Sequence, residues 1–424
     1  MLAIDKSVAP ATQNPLILWG ARLIDGRGAV QERATVVITG STITDVGPAQ
    51  REPPPGAIDL TGRTMLPGLV DAHVHLSSHM ERSPDFGPRE VLKGEPPRPR
   101  ELGYFILAKA ARAFLDAGIT TVRDVGSYDD EALALREAIR LGLVDGPRVL
   151  TCARIVSATA PGGRIFGTMY READGADDMR KAVREQIRRG ADFIKVMATG
   201  ARSVVDEDPE PAQLTQPELH AVVDEAHRMG LRVAAHAEGL GGARLAVDEG
   251  VDTIEHGLSL HREPQLLDRM AERGIVLVPT LTTFHDLAER FTTAFAPKLV
   301  EQAKRQLEDA YRTLTAAALA GVPLAMGHDS GPPGDDAVEL VCMVEGGLSP
   351  LEAITAGTTG SARALGLDDA GAVTPGKRAD LLVVDGNPLD RIGILRERAR
   401  IWLVIKDGIP SGGRALDARG LQPG

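Results

Sequence analysis

Several side chains suited to binding divalent cations close short apolar runs in this chain. His73-Val74-His75 ends the first run, His236 ends Ala234-Ala235-His236, His256 ends Ile254-Glu255-His256, and Asp329 ends the run that begins at Pro323. Residues i and i+2 of a strand project to the same side, so both imidazoles of the His73/His75 pair point the same way. Two neutral imidazoles side by side suit a borderline metal such as zinc. Alone, a His-x-His is weak evidence, and each of the other residues could be a satisfied structural polar group. Lys195 sits inside the apolar run Phe193-Ile194-Lys195-Val196-Met197. A buried ammonium is costly, so it must be paired or modified. Burial lowers a lysine pKa, and a neutral amine can add carbon dioxide to form a carbamate, an anion able to bridge two metals. A salt bridge to Asp329 and a Schiff-base lysine stand as alternatives at this point.

What must position these groups is legible in the alternation around them. β-Branched apolar runs occupy Gly68–Leu76, Ile119–Val125, Arg148–Val156, Asp192–Ala198, Leu231–Ala237, Asp252–His256, Ile275–Leu281 and Pro323–Asp329. Amphipathic helical patterns separate them, among them Asp130–Leu141, Asp177–Arg189, Gln216–Met229, Gly242–Glu249 and Glu301–Leu319. Several finish at a glycine suited to the left-handed helix terminus (Gly142, Gly190, Gly230, Gly250, Gly274, Gly321). Strands alternating with helices call for parallel pairing and right-handed crossovers. Eight such units over about 260 residues predict an α/β fold of the closed (β/α)8 TIM-barrel type, whose strand ends converge on one face. An open doubly wound sheet is the competing arrangement, but no Gly-rich phosphate loop follows the first strand. Gly239-Leu240-Gly241-Gly242 lacks the strand–GxGxxG–helix context of a dinucleotide fingerprint.

The ends read differently. Leu16–Ala21, Ala34–Ile38 and Ser41–Val46 near the start, and Leu381–Val384 and Trp402–Ile405 near the finish, are short strands. Neither set suffices alone. Together they predict a small β-sandwich assembled from 16–64 and 370–412, beside a barrel over 65–369, with 1–15 a flexible tail. Three long loops, Ser77–Arg100, Ser157–Ala176 and Thr199–Leu214, follow barrel strands and are functional candidates.

The chain has 424 residues and a net charge of −11, which argues against a nucleic-acid or anionic-membrane partner. Aromatics make up 3%, so the core must rest on small aliphatics. Its two cysteines, Cys152 and Cys342, give no disulfide framework and no finger spacing. No apolar run suits a signal peptide or a membrane helix, so a cytoplasmic location is expected.

With these residues in view, the sequence resembles the amidohydrolase superfamily in its binuclear, carboxylated-lysine form. Within it, the likeness is to the imidazolonepropionase-like Xaa-Pro dipeptidases and the ochratoxin-degrading amidohydrolases. Leu66–His75, Gly118–Asp124, Ile194–Gly200, Ala234–Ala237, Ile254–Gly257, Pro279–Leu281, Gly376–Leu381 and Gly386–Leu389 carry the resemblance, which spans about Leu16 to Gly408. It implies His73, His75 and Asp329 on one metal, His236 and His256 on the other, and carboxylated Lys195 between them. It further implies a homo-oligomer acting on a small-molecule substrate. Zinc is the expected ion, with cobalt or manganese as alternatives. Asp329 would act as general base and then general acid. A dipeptide or N-acyl amino acid is the expected amide substrate. A cyclic amide, carbamate, lactone or phosphoester is the alternative on the same metals, and a non-enzymatic scaffold is disfavoured because all six ligands are present.

The departures from that pattern fall where substrate is chosen. Relatives often carry Gly-Gly-His where this chain has Gly162-Gly163-Arg164, a His or Tyr where it has Glu238, and a Thr where it has His328. Arg164 could clamp a substrate carboxylate, and Glu238 could take a cationic group or pair with Arg164. Tyr170, Arg202 and His285 are further substrate-binding candidates on loops of the same face. His220, His227, His79 and His261 are expected to be surface or loop histidines.

Overall fold

The computed structural model describes residues 15–78, 101–202, 204, 206–290, 297–329 and 331–419. The expected tail, and His79 with most of the loop after the first barrel strand, lie outside the described residues.

Parallel strands Leu69–Val74, Ile119–Asp124 and Arg148–Thr151 pair in sequence order. Ile155–Ser157, Ile194–Met197, Val233–Ala237, Thr253–His256 and Val276–Val278 continue the series, again parallel. The eighth segment closes the ring. Leu277 N donates to Pro323 O and Ala325 N to Leu277 O on one side; Ala72 N donates to Met326 O and Asp329 N to His73 O on the other. The fold is therefore the (β/α)8 barrel, with helices such as Ala176–Arg189, Gln216–Arg228 and Leu240–Glu249 between strands. The six helix-end glycines named above all adopt positive φ.

One expected strand is broken. Arg148–Val156 reads as a single run, yet the chain splits it at Ala153, which takes a left-handed φ of 61°. The first half pairs with the second barrel strand and the second half with the fourth, through Val156 and Val196. Side chains accept the bonds that the ladder gives up: Asp192 Oδ2 accepts from Thr151 N at 2.9 Å, Thr151 Oγ1 from Ala153 N at 3.1 Å, and Gln186 Oε1 from Arg154 N at 3.3 Å. The loop that follows returns as helix Pro161–Phe166 and a short strand, Tyr170–Glu172, which pairs with Ile155–Ser157.

The two ends of the chain interleave. Arg63–Pro67 pairs with Leu16–Ile24 on one edge and with Leu381–Asp385 on the other, and the sheet runs on to Ile401–Lys406 and Ile409–Gly412. Val30–Thr39 and Thr42–Pro48 extend it the other way. This is the β-rich unit expected from the terminal strands, in one continuous eight-stranded sheet that includes the residues around 64–65. Gly68 then carries the chain into the barrel. A Cβ there would meet Thr120 at 2.4 Å, so only glycine lets the first barrel strand lie this close to the second.

The cores match the composition. Ala, Val, Leu and Ile dominate the buried clusters, with Phe114 a rare large aromatic among them. No helix among the described residues is long and apolar enough to cross a membrane. The sheet and barrel are tied by Arg148, whose guanidinium reaches Asp380 Oδ2 at 2.8 Å and Asp407 Oδ1 at 2.5 Å. Asp380 also accepts from Asp407 N at 2.7 Å, so its carboxylate is held from a second side. Replacing Arg148 by Ala leaves the mostly buried Asp380 facing a lost cation. We expect a loss of about 2 kcal/mol, read as a lower urea midpoint at unchanged slope. An unchanged midpoint would contradict this role.

Candidate metal centre

The C-terminal ends of the strands bring together the groups that the sequence singles out. His73 lies in the first barrel strand and His75 just past it, their ring centroids 5.5 Å apart. His256, last residue of the sixth strand, packs 5.1 Å from His73 and 4.5 Å from His236 of the fifth. Asp329 Oδ1 sits 3.5 Å from His73 Nε2 and 3.4 Å from His75 Nε2. One ligand atom each from His73, His75 and Asp329 falls within a 4.8 Å sphere of mutual distance. Lys195 is 2% exposed, and the charges that act on it most are those of Glu255, Arg123 and Asp329.

Hydrogen bonds fix which nitrogen of each ring carries a proton. His75 Nδ1 lies 2.7 Å from the carbonyl of Gly126, which can only accept, so Nδ1 donates and Nε2 keeps its lone pair. His73 Nδ1 donates in the same way to Glu255 Oε2 at 2.6 Å. His256 Nδ1 contacts Thr280 Oγ1 at 2.7 Å; that hydroxyl itself donates to Pro279 O, so the ring again gives the proton. His236 is reversed: Nε2 faces Gly200 O at 3.2 Å, which leaves Nδ1 as its lone-pair atom. Burial also disfavours the protonated form of His75, His236 and His256. It pushes His75 down to about 4 and His236 to about 3, the latter helped by Lys195, and holds His256 well below its usual value. Burial opposes the charge of Asp329, but positive charge shared among the imidazoles of His73, His75 and His256 outweighs it and holds the carboxyl far below the ordinary range.

The Nε2 lone pairs of His73 and His75 point at an ionised carboxylate, acceptor against acceptor, with their protons committed elsewhere. Such a set is at rest only with positive charge among its members, a shared proton or a metal ion, and imidazole nitrogens with an ionised carboxylate are the donors that zinc-class ions take. Lys195 meets the related requirement. Burial brings its ammonium down to about 8, against the pull of Glu255, so a fraction is the free amine that carbon dioxide needs. No ion pair joins it to Asp329 or to another carboxylate among the described residues, so the salt-bridge alternative does not form.

Below the rings lies a network that the sequence reading did not assign. Glu255 and Arg123, both buried, pair at 2.8 Å; Arg123 Nε also donates to Ala72 O at 2.5 Å, beside His73, and Thr253 Oγ1 donates to Glu255. Burial works against the Glu255 charge, but Arg123, His73 and Lys195 hold the carboxyl far down. Thr283 donates to Asp329 Oδ2 at 2.8 Å, steering Oδ1 toward His73 and His75. Charged residues inside otherwise apolar strands were the available signal for Arg123 and Glu255. Backbone strain marks the same place: of the six non-glycine residues at positive φ among those described, His256, Thr280 and Asp329 are three. Gly327 permits the close crossing, since a Cβ there would meet His73 Cβ at 2.8 Å and Val278 at 2.4 Å.

The substrate-binding candidates divide. Glu238 is buried, 3.5 Å from His236 Nε2, and its partner is Arg202, whose Nε lies 2.6 Å from Oε2. Burial raises Glu238 to about 7 despite that cation. Tyr170 is buried in the same quarter, stacked on Phe166, with Glu207 and Glu238 among the charges it feels. Arg164 is exposed and does not pair with Glu238, because helix Pro161–Phe166 turns it outward and Arg202 already occupies the carboxylate. His285 is not brought to the other histidines. The chain after the seventh strand coils into helix Leu281–His285, so Thr283 faces Asp329 while His285, two residues on, turns to Asp286, Cys342 and Glu345. His328 is buried and donates its backbone N–H to Asp71, and neither ring nitrogen has a hydrogen-bond partner among the described residues. His220 and His227 are exposed on their helix and pair with Glu249 and Asp252; His261 contacts Thr313.

A buried imidazole–carboxylate–lysine set at the C-terminal mouth of a (β/α)8 barrel defines a class of hydrolase built to hold divalent cations. The sequence pattern of the Amidohydrolase family matches residues 64–410, and the chain belongs to that family. The ochratoxinase of Aspergillus niger is 31% identical, over 92% of this chain and 85% of that protein. The imidazolonepropionase of Paracoccus denitrificans is 30% identical, over 89% of this chain and 94% of its own length. The crystal structure of a Xaa-Pro dipeptidase with bound methionine matches with a TM-score of 0.83 at 31% identity, covering 94% of this chain and 100% of the other. The protein is thus a hydrolase acting on C–N bonds, supported at the level of amide or peptide hydrolysis.

If Glu255 orients His73, Glu255→Gln removes the charge that fixes the ring's proton while keeping its shape. Divalent-metal affinity, measured by competition with a chelating dye, is expected to fall about 10–100-fold. Wild-type affinity in a folded variant would rule the network out as a metal-positioning device.

Proposed function

We propose that this chain is a binuclear metal-dependent amidohydrolase that cleaves the amide of a dipeptide or N-acyl amino acid, ochratoxin-type amides included. The observation that carries the reading is the convergence of the His73 and His75 lone pairs on ionised Asp329, beside a buried lysine of depressed basicity. His73, His75 and Asp329 would hold one ion and His236 and His256 the other, with Lys195 as its carbamate serving both. Zinc fits this donor set, with cobalt or manganese able to replace it. Bound there, such ions supply Lewis acidity toward a carbonyl oxygen and lower the pKa of a water.

The chain's own groups handle the proton. Asp329 is ionised, so it can accept a proton from the attacking water and return it to the leaving nitrogen. Thr283 keeps one carboxylate oxygen engaged, so that transfer proceeds in a fixed orientation. Arg202 is one carboxylate removed from His236, through Glu238. Its remaining guanidinium donors suit the carboxylate of the leaving amino acid, a role that the exposure of Arg164 leaves open. Tyr170 and Glu238 line the same side.

The imidazolonepropionase likeness supports one rival, hydrolysis of a cyclic amide at the same centre. A panel of N-acyl amino acids, their carboxamides and cyclic amides separates the two. We expect turnover of the free acids, and a KM raised about 10-fold or more by either amidation or Arg202→Met, consistent with loss of a charged hydrogen bond. Asp329→Asn should cut kcat by about 10²–10⁴. Indifference to the substrate's carboxylate, or a preference for the cyclic amides, would sink the dipeptidase reading.

A further inference from the structure

A second group of metal-type ligands lies outside the barrel-mouth set and has no part in the chemistry above. One ligand atom each of His285, Cys342 and Glu345 lies within 4.8 Å of the others. Cys342 and Glu345 stand three apart on helix Val338–Glu345, so both project from one face of it. His285 ends the short helix Leu281–His285 that packs against it.

The surroundings are those of a ligand set rather than of a chance contact. His285 Nδ1 is 3.5 Å from Asp286 Oδ1, and Asp286 is fully buried and held by Arg290 at 3.2 Å. A histidine whose one nitrogen is steered by a buried carboxylate presents the other as a ligand. Tyr311 Oη donates to Glu345 Oε2 at 3.3 Å and so restrains that carboxylate. Cys342 is fully buried, and burial pushes its thiol far above the usual range, so it is inert as a nucleophile. A coordinated divalent ion reverses that, because a thiol on such an ion is deprotonated outright. Access exists as well: Glu345 is exposed, the His285 side chain is 17% exposed, and Glu345 borders an open cleft with Tyr311 and Thr315.

We propose that His285, Cys342 and Glu345 form a third divalent-cation site, selective for a zinc-class ion and open to solvent at its fourth position. One imidazole nitrogen, one thiolate and one carboxylate oxygen match zinc or cobalt, whereas magnesium and calcium want oxygen alone. Three protein ligands and a water complete a tetrahedron. The site shares no ligand with the barrel mouth, and it stands whether or not the binuclear reading does.

Sulfur gives it a signature of its own. None of the six barrel-mouth ligands carries sulfur, and the chain contains only two cysteines. Cobalt(II) chloride titrated into the purified full-length protein should produce the intense near-ultraviolet sulfur-to-cobalt charge-transfer absorption, reaching the intensity of about one thiolate-bound ion per chain once the barrel mouth is also filled. Cys342→Ser should abolish the band, Cys152→Ser should leave it, and the half-buried His285→Gln should weaken cobalt binding at least about 10-fold. Unchanged far-ultraviolet circular dichroism would show that each variant folds. Loss of the barrel-mouth metals, through Lys195→Ala, should leave the band in place. No band in wild type, or one that disappears with Cys152→Ser and survives Cys342→Ser, would overturn the proposal.

Discussion

Each imidazole at the barrel mouth has one nitrogen committed to an acceptor, and that commitment decides what the other can do. Gly126 O, Glu255 and Thr280 take the Nδ1 protons of His75, His73 and His256, while Gly200 O takes that of His236 at Nε2. The Nε2 lone pairs left over on His73 and His75 both face Asp329. Much of the barrel's detail follows from sustaining this arrangement. Glycine at 327 lets the eighth segment cross close over His73, and left-handed backbone at His256, Thr280 and Asp329 aims side chains that ordinary strand geometry would misdirect. Left-handed backbone of this kind costs of order 1–3 kcal/mol per residue, and it persists only where the surrounding structure imposes it. Arg123 and Glu255 spread charge balance downward, through two residues that an apolar barrel interior would otherwise exclude.

The architecture was legible because its period was. Apolar runs that end in His or Asp, alternating with amphipathic helices, specify both the barrel and the face on which its chemistry sits. The strand ends bearing His73, His236, His256 and Asp329 follow from that pattern. What escaped notice was pairing across the barrel. Arg123 and Glu255 are 132 residues apart and meet only because the second and sixth strands face each other through the interior. Nothing local to Val122-Arg123-Asp124 or Ile254-Glu255-His256 names its partner, although a charge in such a run was itself a sign.

Local backbone choices account for the other differences. No glycine or proline marks the break in the third strand; side-chain acceptors from Asp192, Thr151 and Gln186 make it, and two of these come from other elements. A single helical turn after the seventh strand rotates His285 away from the site and brings Thr283 in. The same limit applies to Glu238, for which Arg164 and Arg202 are equally available in the sequence and only the fold selects Arg202. Substrate-facing residues sit on loops, where spacing carries little information about direction.

The central claim is that Lys195 completes a binuclear centre. It is tested most directly by elemental analysis of wild type and Lys195→Ala, purified side by side without chelators. The account predicts about two divalent ions at the barrel mouth of wild type, falling sharply in the variant while the fold is retained. Any ion at His285, Cys342 and Glu345 is subtracted by running the same pair in a Cys342→Ser background. One ion or none at the mouth of wild type, unchanged by the substitution, would contradict it.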